Sequence, residues 1–175
     1  MTLKSVSGET MKFNPLRYSH TQVVLGEVPD EVSLAFVMTG CPHRCSKCHS
    51  MELWEEKGKE LDLSHLIAEL DNSEGITCVV FMGGEWYPWQ LYLALGYCQH
   101  KGFKTALYTG KELEEFKWEI TASLLDVLDY LKVGPYKEEL GGLQCKTTNQ
   151  RMYKVEQDGN LTDITYKFWR EEGSV

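Results

Sequence analysis

The sequence predicts an α/β fold, an open, partial parallel βα barrel that ends in an antiparallel hairpin or edge element. Three observations predict it. Short apolar runs of strand length alternate with segments whose apolar residues recur at helical spacing. No tight hairpin turn joins successive runs, so the strands must pair in parallel through right-handed crossovers. Near the end the pattern changes: Met152 to Gln157 and Leu161 to Trp169 flank Asp158-Gly159, a dipeptide suited to a two-residue hairpin turn. At most four helical crossovers fit the chain, too few for a closed eight-stranded barrel. With no internal repeat and no low-complexity linker, residues 1–175 are expected to form a single domain.

Taken in order, residues 1–10 (MTLKSVSGET) are polar and are expected to be a loose tail, followed by a more ordered run from Met11 to Tyr18. Val32 to Thr39 is nearly all apolar, which suits a strand buried on both faces, and Gly40 ends it. A helix is expected from Ser64 as N-cap, with Leu66, Ile67 and Leu70 on one face and a stop over Asp71 to Gly75. Thr77 to Met82 gives a second strand. Pro88 opens a helix that buries Leu91, Leu95 and Cys98 and ends near Gly102. Lys104 to Thr109 gives a third strand. Ile120, Leu124, Leu128 and Leu131 mark an amphipathic helix, and Tyr130 to Val133 is a fourth strand before Gly134-Pro135.

Composition narrows the function classes. The 175 residues carry 18 Lys+Arg against 26 Asp+Glu, a net charge of -8, and no basic block, which argues against nucleic acid or an anionic membrane as partner. No apolar run approaches a membrane span, and the first ten residues lack the core of a signal peptide, so a cytoplasmic location is expected. A fold of this length buries roughly 70% of the unfolded chain's surface and needs neither disulfide nor metal for stability. Six cysteines in a reducing compartment therefore read as ligands, catalytic thiols or core residues.

The informative segment is Cys41-Pro-His-Arg-Cys45-Ser-Lys-Cys48-His49, directly after the first apolar strand. Cys45 and Cys48 alone match a redox dithiol, and with His49 the attachment sequence of a c-type haem, but neither reading uses Cys41. Zinc held by the three cysteines with His43 or His49 is chemically sound, although structural zinc sites usually draw ligand pairs from separated segments. Three thiolates at this spacing can instead hold three corners of a [4Fe-4S] cube and leave one iron without a protein ligand. Gly83-Gly84-Glu85 closes the second strand, and its carbonyls and carboxylate offer acceptors to an amine. With Tyr108-Thr109-Gly110 and Gly134-Pro135, these segments all fall at the C-terminal ends of the expected parallel strands, one rim where α/β folds place their sites.

The cysteine loop and Gly83-Gly84-Glu85 together resemble the radical S-adenosylmethionine superfamily. Within it the chain is similar to the activating component of the anaerobic ribonucleoside-triphosphate reductase, a resemblance spanning about Ser33 to Phe168. It is carried by Thr39-Gly40-Cys41, Leu107-Tyr108-Thr109-Gly110, Gly134-Pro135-Tyr136, Asn149-Gln150-Arg151 and Asp163-Ile164-Thr165-Tyr166. Lys47 and Val133 stand where that family usually has Gly and Asp. The resemblance implies a small radical-enzyme barrel with a [4Fe-4S] cluster on Cys41, Cys45 and Cys48 whose open iron binds S-adenosylmethionine. It implies that Gly83, Gly84, Glu85, Tyr108, Thr109 and Gly110 contact that cofactor, and no catalytic side chain beyond cluster and cofactor. The implied activity is reductive cleavage of S-adenosylmethionine and formation of a glycyl radical on the large reductase subunit, with a flavodoxin or ferredoxin as electron donor. The competing classes are a non-catalytic iron-sulfur or zinc protein and a radical enzyme acting on a small molecule.

Other candidates carry less. Cys78 and Cys98 fall on apolar faces and read as core thiols, whereas Cys145 sits in a Gly-rich loop without an assignment. His43 and His49 are expected to form hydrogen bonds or face solvent, and His20, His65 and His100 to lie at the surface. Trp86, Tyr87 and Trp89 suit lining an adenine or a partner surface, and equally suit packing at the rim. With no second Cys-x-x-Cys, no auxiliary cluster is expected. No Walker loop or dinucleotide glycine fingerprint is present.

Overall fold

A computed structural model describes residues 3–4, 10–11, 15–118 and 120–169. Strands β1 (Leu3–Lys4) and β2 (Thr10–Met11) pair antiparallel, apart from the main sheet. The rest of the expected loose tail lies outside the described residues. The main sheet contains β3 (Leu16–Val24), β4 (Ser33–Met38), β5 (Lys59–Leu61), β6 (Cys78–Met82), β7 (Lys104–Tyr108), β8 (Tyr130–Val133), β9 (Arg151–Val155) and β10 (Leu161–Asp163). Its order is β10-β9-β8-β7-β6-β4-β3-β5, and it does not close. The central strands β4, β6, β7 and β8 run parallel, while β3, β9 and β10 pair antiparallel with their neighbours. The result is a mixed α/β fold with an open, partly parallel sheet.

The central strands are largely apolar because both of their faces are covered. On one face Phe36 stacks on Phe81 with ring centres 5.1 Å apart, and Tyr18 meets Phe36 edge-on at 5.5 Å. This layer receives Leu66 and Leu70 of α1 (Leu63–Asp71), Leu91, Leu95 and Cys98 of α2 (Pro88–His100), and Phe116 of α3 (Leu113–Trp118). Full burial of each large apolar side chain contributes about 2 kcal/mol, so this layer holds the helices on the sheet. The opposite face carries smaller groups, Ala35, Cys78, Val80 and Ala106, under Val28, Leu143 and Ile164 from loops. Cys78 and Cys98 are core thiols, each pushed up to about pKa 12 by burial. No helix among the described residues is long and apolar enough to cross a membrane.

Four expectations about elements are corrected. The N-cap of α1 is Asp62, not Ser64: its Oδ1 accepts from His65 N at 2.9 Å and from Ser64 Oγ at 2.7 Å, which places Ser64 inside the first turn. The helix expected over Ile120 to Leu131 is instead a 3-10 segment, Ile120–Val127, preceded by the short α3, and Leu131 belongs to β8. Asp129 stops any helix there, because its carboxylate accepts from Thr105 N at 2.9 Å and ties the chain to β7. The second arm of the terminal hairpin is strand only over Leu161–Asp163. Asp163 then accepts from Thr165 N at 2.8 Å, which turns the chain into a 3-10 segment, Thr165–Phe168. Finally, β3 and β5 extend the sheet antiparallel beyond β4, where only parallel strands were expected.

Candidate metal centre

The cysteine loop leaves β4 through Gly40, whose φ of +84° turns the chain where a side chain would be strained. Its base is pinned by Gly40 N and Cys41 N, which donate to Leu53 O at 2.8 and 3.0 Å. Between these points Arg44 and Lys47 adopt φ of +44° and +57°, a conformation costing a non-glycine residue about 1–2 kcal/mol. Lys47 thus takes the backbone state that glycine reaches freely, and its ammonium pairs with Glu138. The turns aim main-chain N–H groups at sulfur. Those of His43 and Arg44 donate to the Cys41 thiol, and Ser50 N donates to Cys48 Sγ at 3.4 Å. Such nests of N–H groups favour negative charge and recur at iron–sulfur sites. Burial acts the other way on Cys41 and, with the nearby Glu85 carboxylate, leaves its thiol pKa raised.

Cys41, Cys45 and Cys48 are free, half-buried thiols that line one open cavity of about 170 Å³. Met82, Gly83, Glu85, Tyr108, Thr109, Gly110 and Lys132, from the C-terminal ends of β6, β7 and β8, form the facing wall. Gly83 N continues the ladder by donating to Tyr108 O at 2.9 Å. A Cβ on Gly83 would stand 2.7 Å from the Trp86 ring, so the close packing there requires glycine. Glu85 is 1% exposed. Its Oε1 accepts from Thr109 Oγ1 at 2.6 Å and lies 2.8 Å from His43 Nε2. Its Oε2 is buried with no hydrogen-bond partner among the described residues. An unmet buried acceptor is costly, and a donor arriving in the cavity would satisfy it.

The structure thus brings together Cys41, Cys45, Cys48, Gly83, Glu85, Tyr108, Thr109 and Gly110, eight of the nine residues singled out as ligands or cofactor contacts. Gly84 is the exception, since it does not line the cavity and its carbonyl accepts from Tyr87 N at 3.0 Å. The Tyr108 hydroxyl also points elsewhere, to Glu27 O. His43 does form a hydrogen bond, and its ring rests so close to Gly110 that a Cβ there would be 2.8 Å away. His49 is exposed, with its ring 4.7 Å from that of Tyr136. The sequence reading passed over Lys132, although a lone cation in the apolar run Tyr130 to Val133 was a signal. It is 7% exposed, and its Nζ donates to Gly134 O at 2.8 Å and Thr109 O at 3.5 Å. Burial pushes its pKa down to about 8, against the pull of Cys45 and Glu85.

The donor set suits an iron–sulfur cube. Three free thiols in a nest of N–H donors border a cavity, and thiolate is the ligand that such clusters take. No three His, Cys, Asp or Glu side chains among the described residues converge on one metal-ion position. A cube binds its thiolates on separate irons and does not require that convergence. Comparison with known proteins returned no match among curated proteins or solved structures. Among family models, that of the 4Fe-4S single cluster domain matches residues 31–155, which include all three cysteines of the loop and the four parallel strands. The match covers well over half of the chain, and the chain therefore belongs to the 4Fe-4S single cluster domain family.

Proposed function

We propose that the chain is a radical S-adenosylmethionine activase that places a glycyl radical on the large subunit of an anaerobic ribonucleotide reductase. The observation that carries the reading is the unpartnered, buried Oε2 of Glu85 in the cavity that the three free thiols line. Cluster binding alone gives no reason for such an acceptor, whereas a ligand with an ammonium group does. When bound, cluster and cofactor would supply reductive, one-electron cleavage of the cofactor's sulfonium, with the electron coming from an external reductant, and thereby the means to remove a hydrogen atom from a glycine Cα.

The chain's own residues hold and orient. Cys41, Cys45 and Cys48 would hold the cluster through three thiolates, which leaves a site for the cofactor. Glu85 accepts from the cofactor's amino group through Oε2, while Thr109 and His43 fix the carboxylate through Oε1. Gly83 keeps the strand end clear of a side chain. The cavity is open, and Met51 and Trp89, each 55% exposed, follow the cysteine loop and the Gly-Gly-Glu turn as apolar surface for a partner to cover. A partner loop that carries a glycine suits this mouth, because glycine lets backbone approach closely. His49, exposed and packed on Tyr136, is free of this machinery. His49→Ala should keep the iron and sulfide content of the wild type, and a loss of iron would make His49 a ligand.

The test mixes the protein with reductant, S-adenosylmethionine and a reductase large subunit carrying Cα-deuterated glycine, without oxygen. Deuterium should appear in 5'-deoxyadenosine, together with a glycyl electron paramagnetic resonance signal that disappears when the loop glycine is replaced by alanine. Deuterium-free 5'-deoxyadenosine and no partner radical, from protein with an intact, reducible cluster, would leave a small-molecule radical enzyme as the better account.

A further inference from the structure

Among the described residues that line the cavity, Lys132 is the cationic side chain that the proposed function does not use. It stands on the β-sheet face that carries small and apolar groups, in a row across five strands: Val37, Met82, Tyr108, Lys132 and Met152 are successive register partners. Tyr108 turns its hydroxyl to Glu27 O, so the ammonium of Lys132 is the only charge in that row. It donates to two main-chain carbonyls, Gly134 O and Thr109 O, and no carboxylate among the described residues lies within ion-pair distance of it. Cys45 and the Glu85 carboxylate in the same cavity favour the charged form but do not offset the cost of burial, so a further negative charge placed in the cavity would stabilise the ammonium. The cavity it borders is the one lined by Cys41, Cys45 and Cys48.

We propose that Lys132 is the counter-charge of the cluster: its buried ammonium, held by two main-chain carbonyls in the wall of the cysteine-lined cavity, offsets the negative charge of thiolates and sulfides and raises the potential at which the cluster accepts an electron. The inference rests on the cluster reading. One-electron reduction adds one negative charge beside the ammonium, with no bond made or broken and no proton required, and dithionite supplies the electron in the test. A fixed positive charge in a low-dielectric wall stabilises the reduced, more negative form more than the oxidised one. The two carbonyls keep the ammonium in place, so the offset needs no rearrangement.

The experiment compares wild type with Lys132→Met, which keeps length and removes charge, and Lys132→Arg, which keeps charge. Each is reconstituted anaerobically with iron and sulfide, and reduction is followed by electron paramagnetic resonance at controlled potential. Lys132→Met should load the same iron and sulfide as wild type, yet its ratio of reduced to oxidised cluster should fall at least tenfold at the wild-type midpoint, a shift of about 59 mV for one electron. Lys132→Arg should stay within about threefold of wild type. Denaturant unfolding of the metal-free proteins gives a readout independent of reduction. Removing an unpaired buried ammonium should make metal-free Lys132→Met at least as stable as wild type, and cluster loading should stabilise wild type more than the variant.

Coincident titrations of Lys132→Met and wild type would overturn the proposal. An unchanged potential with weakened S-adenosylmethionine binding would do so too, and would assign the ammonium to a ligand carboxylate. Metal-free Lys132→Met or Lys132→Gln less stable than wild type would show that the lysine serves the fold. Wild-type protein that takes up no iron and sulfide would overturn the cluster reading and the counter-charge with it, a failure distinguishable because it appears before any variant is compared.

Discussion

Alanine in place of Cys41, Cys45 or Cys48 is expected to abolish bound iron and sulfide and all cleavage of S-adenosylmethionine. The three thiols are the only sulfur donors of a single loop, and a cube anchored at two corners exposes two irons to competing ligands and to loss. The variants should still fold. Their side chains are half-buried in a loop at the rim, while the fold rests on the layer built by Phe36, Phe81, Leu91, Leu95 and Leu107. Far-ultraviolet circular dichroism should therefore match wild type while the brown absorbance disappears. Cys98→Ala is the control. Cys98 is fully buried on α2 and its thiol is pushed up to about pKa 12, so this change should cost some stability but leave the iron in place. A Cys48→Ala protein with a full complement of iron, beside a Cys98→Ala protein without any, would show that the ligands have been misassigned.

The parallel core was legible because burial on both faces writes itself as a largely apolar run. Ser33–Met38, Cys78–Met82, Lys104–Tyr108 and Tyr130–Val133 lie within about one residue of the expected strands. β3 was not legible for the opposite reason. Only Leu16 and Tyr18 in it are buried, and Ser19, His20, Thr21 and Gln22 follow as a polar stretch with no alternation to read. β5 is three residues long with two charges, so its strand character comes from pairing with β3 rather than from propensity. The 3-10 segment over Ile120–Val127 has the apolar spacing of a helix, and the tie from Asp129 to Thr105, 24 residues back, overrides it.

The site divides along the same line. Each of its segments announces itself by following a strand, which is enough to place the cysteine loop, Glu85 and Thr109 on one rim. The contacts that give them chemistry join residues far apart in sequence. His43 meets Glu85 across 42 positions and Thr109 meets Glu85 across 24, and neither separation has a local signature. The carbonyl of Gly84 shows the limit of motif reading in the other direction. The motif offers it as an acceptor for ligand, but the turn that opens α2 uses it for Tyr87 N. The acceptor left over is the second oxygen of Glu85, visible only once the partners of the first have been found.

That oxygen makes Glu85 the residue whose loss should act most strongly on cofactor affinity without touching the cluster. A hydrogen bond to a charged group is worth roughly 1.5–3 kcal/mol, so Glu85→Ala should weaken S-adenosylmethionine binding by about tenfold to a hundredfold. Glu85→Gln separates charge from shape. A glutamine has one oxygen and one amide nitrogen, and Thr109 and the ligand's amino group each need an oxygen. Whichever way the amide is turned, one of the two is left facing a donor, so the variant should lose affinity even though the side chain fits. Neither change alters a thiol, and iron and sulfide per chain should equal those of wild type. The measurement is equilibrium binding of S-adenosylmethionine to the anaerobic, cluster-loaded proteins by calorimetry. Wild-type affinity in both variants would remove Glu85 from the cofactor site. Reduced iron content in both would instead mean that the carboxylate shapes the cysteine loop through His43, the contact by which it reaches that loop.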